Sequence, residues 1–267
     1  MAETARALGL KTFQFFLVRE LKQRYITVNA EEKKAFVKIR QEHFSTLYLH
    51  SSYWINACTA DQSIFALSKR LFQKELDAVL ALELNYLVLH AGSAKGQSVT
   101  PEDPYGIKKG IEQLAKLLNE LCKQYPTVQL LLENTAFGKN TIGSNLADFV
   151  LLRSLLDFPE RVGYCLDTAH AFAYGYALDP LDDFIKIVDE SLGVENIKLI
   201  HFNDSVLRFG CMQDMHAFPG EGKIGKDAMA NLLNHPVFAP LPKIIEYPDG
   251  DLQEILQKVK NIENGVV

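Results

Sequence analysis

The sequence predicts an α/β fold, a barrel of parallel strands with helices around it. Three observations lead there. Short apolar runs alternate with amphipathic stretches along the chain. The runs are four to six residues long and rich in Leu, Val, Ile, Phe or Tyr, as in strands covered on both faces. The length, 267 residues, suits one closed (β/α) barrel of the TIM type, which takes about 250 residues. Residues 1–267 are therefore expected to form a single domain.

The elements follow in order. Ala2–Leu8 is an amphipathic helix stopped at Gly9. Thr12–Leu17 is the first apolar run and Ser45–His50 the second, with His43 in a helix just before it. Helix Asp61–Leu82 leads to the run Asn85–His90. Gly106–Lys123 carries Ile111, Leu114, Leu117, Leu118 and Leu121 at helical spacing, and Pro126 marks its end. The run Val128–Glu133 precedes helix Ser144–Leu156. Val162–Asp167 precedes Pro180–Glu190, and Ile197–Phe202 precedes Lys226–Leu233. Lys243–Glu246 is the last run, and Asp251 is placed to cap a final helix, Asp251–Ile262. Strand–helix alternation of this kind makes a parallel sheet.

A complete barrel has eight strands, one more than these runs supply. Because the chain opens in a helix, the absent strand is the first. Its absence would leave open edges at Thr12–Leu17 and Lys243–Glu246, and each buried unpaired backbone group costs about 1–3 kcal/mol. Either residues upstream of Met1 belong to the natural protein, or those two edges meet directly.

Composition sets further bounds. The chain is 48% hydrophobic and 23% charged, enough to bury a sizeable core. No run of about 18 apolar residues spans a membrane, and MAETARALGLKTFQFF lacks the layout of a secretory signal. Cys58, Cys122, Cys165 and Cys211 are widely spaced and read as reduced thiols, with Cys165 a small core residue. A cytoplasmic monomer is expected. The net charge of −5 argues against a nucleic-acid binder unless bound cations offset it, and three divalent ions would bring the total to +1.

The strand ends carry the chemistry. LYLH ends on His50, LVLH on His90, LLLE on Glu133 and YCLD on Asp167; LIHF carries His201 and IIE ends on Glu246. In a barrel such ends face one mouth, where active sites of this fold lie. Asp167 and His170 add a carboxylate and an imidazole at a strand-to-helix turn, and Asp214-Met-His216 adds both on one loop. Five imidazoles and four carboxylates without a thiolate suit Zn²⁺, Mn²⁺ or Fe²⁺. A catalytic zinc usually takes three protein ligands, so nine imply two or three ions with bridging carboxylates. A lone histidine after a strand is more often a hydrogen-bonded loop residue. Here the joint pattern outweighs that reading, and only His43 and His235 are left as ordinary surface residues.

The motifs resemble those of the endonuclease IV-type apurinic/apyrimidinic endonucleases. NYLVLHAGS at Asn85–Ser93, Glu133-Asn-Thr-Ala through Gly143, VGYCLDTAHAFAYGYAL at Val162–Leu178, and the stretch from His201-Phe-Asn-Asp204 to Gly220–Gly225 carry the likeness, which covers nearly the whole chain. The resemblance implies nine metal ligands: His50, His90, Glu133, Asp167, His170, His201, Asp214, His216 and Glu246. His50, His90 and Glu133 would hold a first zinc. Glu133 would bridge to a second, held also by Asp167, His201 and Glu246. His170, Asp214 and His216 would hold a third. Mn²⁺ or Fe²⁺ is admissible at one site. The implied reaction is hydrolysis of double-stranded DNA on the 5′ side of an abasic site, leaving a 3′-hydroxyl, with Glu133 or Glu246 orienting the attacking water. Tyr53 and Trp54 match the side chains that press into DNA at the lesion; the plain alternative for both is core packing.

The chain also departs from the family. The loop after Asp204, SVLRFGCMQDMHAF, has Arg208 as its one basic residue, and Met215 stands between two ligands where a basic residue is usual. Arg208 is left as the loop's candidate DNA contact. Arg19, Lys22 and Arg24 supply charge near the expected first DNA loop. Two rivals compete with the nuclease. A sugar isomerase or epimerase on a related barrel would need one or two metals and neither His170 nor Asp214-Met-His216. A non-catalytic scaffold would be expected to have lost a ligand, and none is lost.

Overall fold

The computed structural model describes residues 2–19, 24–26, 28–246 and 251–264. Its contacts group into two compact units, 1–133 with 151–163, and 134–150 with 164–267.

The first unit contains α1 (Ala2–Ala7), β1 (Thr12–Phe16), the two-residue strands β2 (Val18–Arg19) and β3 (Arg24–Tyr25), α2 (Ala30–His43), β4 (Thr46–His50), α3 (Gln62–Ala81), β5 (Tyr86–His90), α4 (Ile107–Gln124) and β6 (Gln129–Glu133). β1, β4, β5 and β6 form consecutive parallel pairs. Parallel neighbours need a long crossover, and the helices provide it. α4 buries Ile111, Leu114, Leu117, Leu118 and Leu121, the stripe its sequence spacing dictates. The core strands are covered on both faces: Leu47, Tyr48, Leu49, Leu87, Val88, Leu89, Leu130, Leu131 and Leu132 are all buried.

α5 (Ala147–Ser154) crosses the division between the units. It starts three residues later than the sequence suggests. The Asn145 side chain accepts from Ala147 N–H, and Leu146 N–H donates to the Tyr176 hydroxyl, so the stretch before the helix is a side-chain-held turn.

The second unit holds most of β7 (Val162–Asp167), then α6 (Thr168–Tyr174), α7 (Leu181–Leu192), β8 (Ile197–His201), the hairpin of β9 (Asp204–Ser205) and β10 (His216–Ala217), α8 (Lys226–Asn234), β11 (Lys243–Ile244) and α9 (Leu252–Glu263). β7 pairs with β8 and β8 with β11, all parallel. β7 is buried along its whole length. Asp251 caps α9, accepting from Gln253 and Glu254 N–H, as its position suggested.

All seven apolar runs are strands. The last is shorter than expected: β11 ends at Ile244, and Glu246 N–H is taken by the Asn203 side chain at 2.8 Å instead of a strand partner. α2 was marked in the sequence only by His43. It buries no residue, so no apolar stripe announces it. Its start is a capping box between Asn29 and Glu32.

One buried carboxylate organises the hairpin and the loop that follows. Asp204 is fully buried. Its two oxygens accept from five backbone N–H groups, those of Ser205, Gly220, Gly222, Ile224 and Gly225, at 2.7–3.2 Å. A Cβ on Gly222 would run into the Asp204 carboxylate and the Ser205 carbonyl, so only glycine fits there. Hydrogen bonds to a charged acceptor contribute about 1.5–3 kcal/mol each, and stranding their donors costs more. Asp204→Asn is therefore expected to destabilise the metal-free protein by about 3 kcal/mol or more, read from its urea midpoint. A loss below about 1 kcal/mol would contradict this account of the loop.

Candidate metal centre

In the first unit, parallel register does the positioning. His90 on β5 lies directly across from Glu133 on β6. His50 ends the neighbouring β4. Ligand atoms of His50, His90 and Glu133 all lie within 4.8 Å of one another. His50 Nε2 is 2.9 Å and His90 Nε2 3.6 Å from the same oxygen, Glu133 Oε2. His50 and Glu133 are 1% exposed, so the carboxylate has little water to solvate its charge.

The second unit repeats the device. Asp167 on β7 is across from His201 on β8. His201 Nδ1 is 3.1 Å from Glu246 Oε2 and 3.9 Å from Asp167 Oδ2. Atoms of Asp167, His170 and His216 also converge within 4.8 Å. Asp214 sits between two imidazoles, 3.2 Å from His170 Nε2 and 3.0 Å from His216 Nε2. The β9–β10 hairpin brings it there: Val206 N–H bonds Met215 carbonyl at 2.9 Å and closes the ten-residue loop that ends on Asp214 and Met215, just before His216.

Three rings have their tautomer fixed from behind. His50 Nδ1 donates to the Ser51 carbonyl at 2.8 Å, His170 Nδ1 to the Asn134 carbonyl at 2.9 Å, and His216 Nδ1 to the Glu246 carbonyl at 3.3 Å. A carbonyl can only accept, so each Nδ1 carries the hydrogen. In the neutral ring, Nε2 then presents a lone pair, and each Nε2 faces a carboxylate oxygen. Two lone pairs about 3 Å apart repel unless a proton or a cation stands between them. Nitrogen and oxygen donors with rings held by backbone carbonyls match what a zinc-type cation takes.

The hairpin groups shift one another's titration. Burial raises the Asp214 carboxyl, but hydrogen bonds and charge from His170 and His216 outweigh it and hold the group well below the usual carboxylate range. Burial likewise opposes charge on His216, yet Asp167 and Asp214 push it up to about 9. A cation bound there would displace the proton and keep the attraction.

Two asparagines support the carboxylates; the sequence motifs contain both without singling them out. Asn203 Nδ2 donates to Asp167 Oδ2 at 2.7 Å and to Glu246 Oε2 at 3.2 Å. Asn134 bonds both backbone groups of Asp167. The only sequence signal was their place inside Glu133-Asn-Thr-Ala and His201-Phe-Asn-Asp. Asp167 itself also caps α6, accepting from His170 N–H at 2.7 Å, which fixes the spacing of the Asp167–His170 pair.

Tyr53 and Trp54 follow β4 and are 58% and 50% exposed, which rules out core packing. Tyr53 stacks on His90 with ring centroids 5.5 Å apart and on Phe16 at 5.6 Å. Trp54 is half exposed on a loop that begins at a candidate ligand. Arg208 is exposed on the hairpin loop. Lys22 and the side chains of Arg19 and Arg24 lie outside the described residues. His43 and His235 stand away from these clusters, and Cys165 is buried on β7.

Residues 2–265 match the family described as Xylose isomerase-like TIM barrel, which defines the class: a TIM-type barrel, with side chains able to hold metal at its strand ends. The chain belongs within it to the endonuclease IV family. It is 34% identical over 250 residues to a probable endonuclease 4 of Halothermothrix orenii, covering 92% of this chain and 87% of that protein. A probable endonuclease 4 of Akkermansia muciniphila is 30% identical over 253 residues, covering 94% and 88%. Among solved structures, endonuclease IV from Thermus thermophilus superposes with a TM-score of 0.83 at 28% identity, covering 98% of this chain and 91% of that one.

Removing one of these side chains tests the hairpin cluster. His216→Ala is expected to lower zinc content by about one ion per chain and to depress turnover more than substrate binding. Elemental analysis of the purified variant checks it, and unchanged metal content would remove His216 from the ligands.

Proposed function

We propose that this chain is a metal-dependent DNA-repair phosphodiesterase that cuts the backbone on the 5′ side of abasic sites and leaves a 3′-hydroxyl. The observation that carries the reading is the hairpin cluster of His170, Asp214 and His216 beside Asp167, in addition to His50, His90 and Glu133. A sugar isomerase or epimerase on a related barrel has no use for it. We read residues 1–267 as one barrel domain.

The nine side chains are assigned to three zinc ions: His50, His90 and Glu133 to one, Asp167, His201 and Glu246 with Glu133 to a second, and His170, Asp214 and His216 to a third. The family likeness supplies that grouping. Bound zinc would lower the pKa of water towards about 7 and stabilise charge on the phosphoryl and leaving oxygens. The protein's own contribution is orientation. The Ser51, Asn134 and Glu246 carbonyls hold three rings with Nε2 aimed inward. Asn203 sets the Glu246 carboxylate, which with Glu133 is the candidate for orienting the attacking water and taking its proton. Tyr53 and Trp54, exposed on the loop after His50, supply aromatic faces for a gap in the base stack. Selection of the lesion follows from unstacking, which costs least where a base is already missing.

The direct test is a duplex with one abasic-site analogue. Incision on its 5′ side, giving an end that a polymerase extends, is expected; an intact duplex alongside isomerisation of a ketose would favour the sugar enzyme. Glu133→Gln keeps the side chain's size and removes its charge. Activity is expected to fall by about a thousandfold or more while the protein stays folded, and retention of more than about a tenth would exclude a central role for Glu133.

A further inference from the structure

The loop that closes the metal-site hairpin is built for apolar contact. Residues 206–215 read VLRFGCMQDM, with Arg208 the one cation and Asp214 assigned to a metal. Phe209, Met212 and Met215 are 48%, 49% and 50% exposed, and Val206 is exposed beside them. Exposed apolar side chains clustered on one ordered loop mark an interaction surface, whereas scattered ones do not.

The loop is ordered by its own backbone. Gly210 N–H bonds the Phe172 carbonyl at 3.2 Å and Met212 N–H the Ala173 carbonyl at 2.8 Å, pinning the loop to α6. Phe209 meets Phe172 edge-on at 5.4 Å. Met212 holds φ at 55°, a conformation that non-glycine residues rarely adopt. A Cβ on Gly138 would lie 2.7 Å from Met212 Sδ, so the glycine allows the 134–143 loop, with its exposed Phe137, to close against the same methionine.

Position decides what meets this surface. Met215 is bonded on both sides to proposed metal ligands, so its Cα lies about 3.8 Å from each of theirs. A phosphodiester seated at that centre brings its neighbouring nucleotides onto the loop. A phosphate pressed against Phe209 and Met212 would lose water with nothing to replace it. The sugar edges and base faces of a duplex lose little there, and a missing base exposes the faces of the pairs beside the gap. A second copy of the chain on this loop would shut out the substrate.

Resting on the nuclease reading, we infer that Phe209 and Met212 form an apolar contact that packs on the base and sugar faces exposed at an abasic site, giving affinity that does not depend on phosphate pairing. The test is the double variant Phe209→Ser, Met212→Asn; asparagine tolerates the left-handed backbone at 212. Binding to a duplex with one abasic-site analogue is measured across a salt series, with zinc content, melting temperature and sedimentation alongside. The expected result is affinity weakened by about fivefold or more, by the same factor at every salt concentration, with an unchanged slope of log K against log salt. Zinc content and melting temperature stay as in the parent protein. Unchanged affinity overturns the inference while leaving the nuclease reading intact, and so does weakening that fades as salt rises. A parent dimer that the variant dissolves, with DNA binding unaltered, assigns the loop to self-association and overturns it too. A parent protein that neither binds nor cuts the abasic duplex ends both.

Discussion

The site depends on one electrostatic conflict. Carboxylate oxygens of buried Glu133 and of the partly exposed Asp214 face imidazole nitrogens at about 3 Å, and those imidazoles have already committed their hydrogen to backbone carbonyls on the far side. Neutral rings and ionised carboxylates cannot stay in that arrangement unless positive charge lies between them. At His216 and Asp214 the attraction between a protonated ring and the carboxylate pushes the imidazole up and the carboxyl down. The surrounding structure holds the groups in place so that a cation resolves it. Asn203 and Asn134 fix Asp167 and Glu246, and Asp204 fastens the hairpin that delivers Asp214 and His216.

Much of this was legible because parallel strands put their last residues side by side. Reading LYLH, LVLH, LLLE and YCLD as strands that end on a donor was enough to expect their last residues at one mouth; the register adds that His90 lies across from Glu133 and Asp167 across from His201. Other features could not be read that way. α2 lacks an apolar face, so its periodicity carries no signal, and Glu246 follows its strand by two residues because Asn203 takes its backbone N–H. The supporting roles of Asn134, Asn203 and Asp204 depend on partners distant in sequence, with nothing local to announce them. Glu75 is similar: it is buried in α3 and receives Ser52 N–H and the Tyr25 hydroxyl, tying down the loop that presents Tyr53 and Trp54.

Charge placement explains how an acidic chain can serve a polyanionic substrate. The formal −5 counts carboxylates that metal would neutralise, so the net figure says little about the surface the DNA meets. The loop after β9 has Val206, Phe209, Met212 and Met215 exposed around a single arginine. On the proposed reading, the apolar side chains of the loop after β9 contact DNA where phosphate pairing would otherwise do so. Such a surface favours a duplex with a gap in its stack over an intact one, because only the gap offers unstacked faces.

The central claim is that the imidazole and carboxylate groups hold a full set of metal ions and that catalysis needs them. Elemental analysis of the purified protein, paired with a nicking assay on an abasic duplex before and after chelation, tests it most directly. Close to three zinc ions per chain is expected, with nicking abolished by chelation and restored when zinc is returned. One or two ions per chain, or nicking that survives their removal, would contradict it.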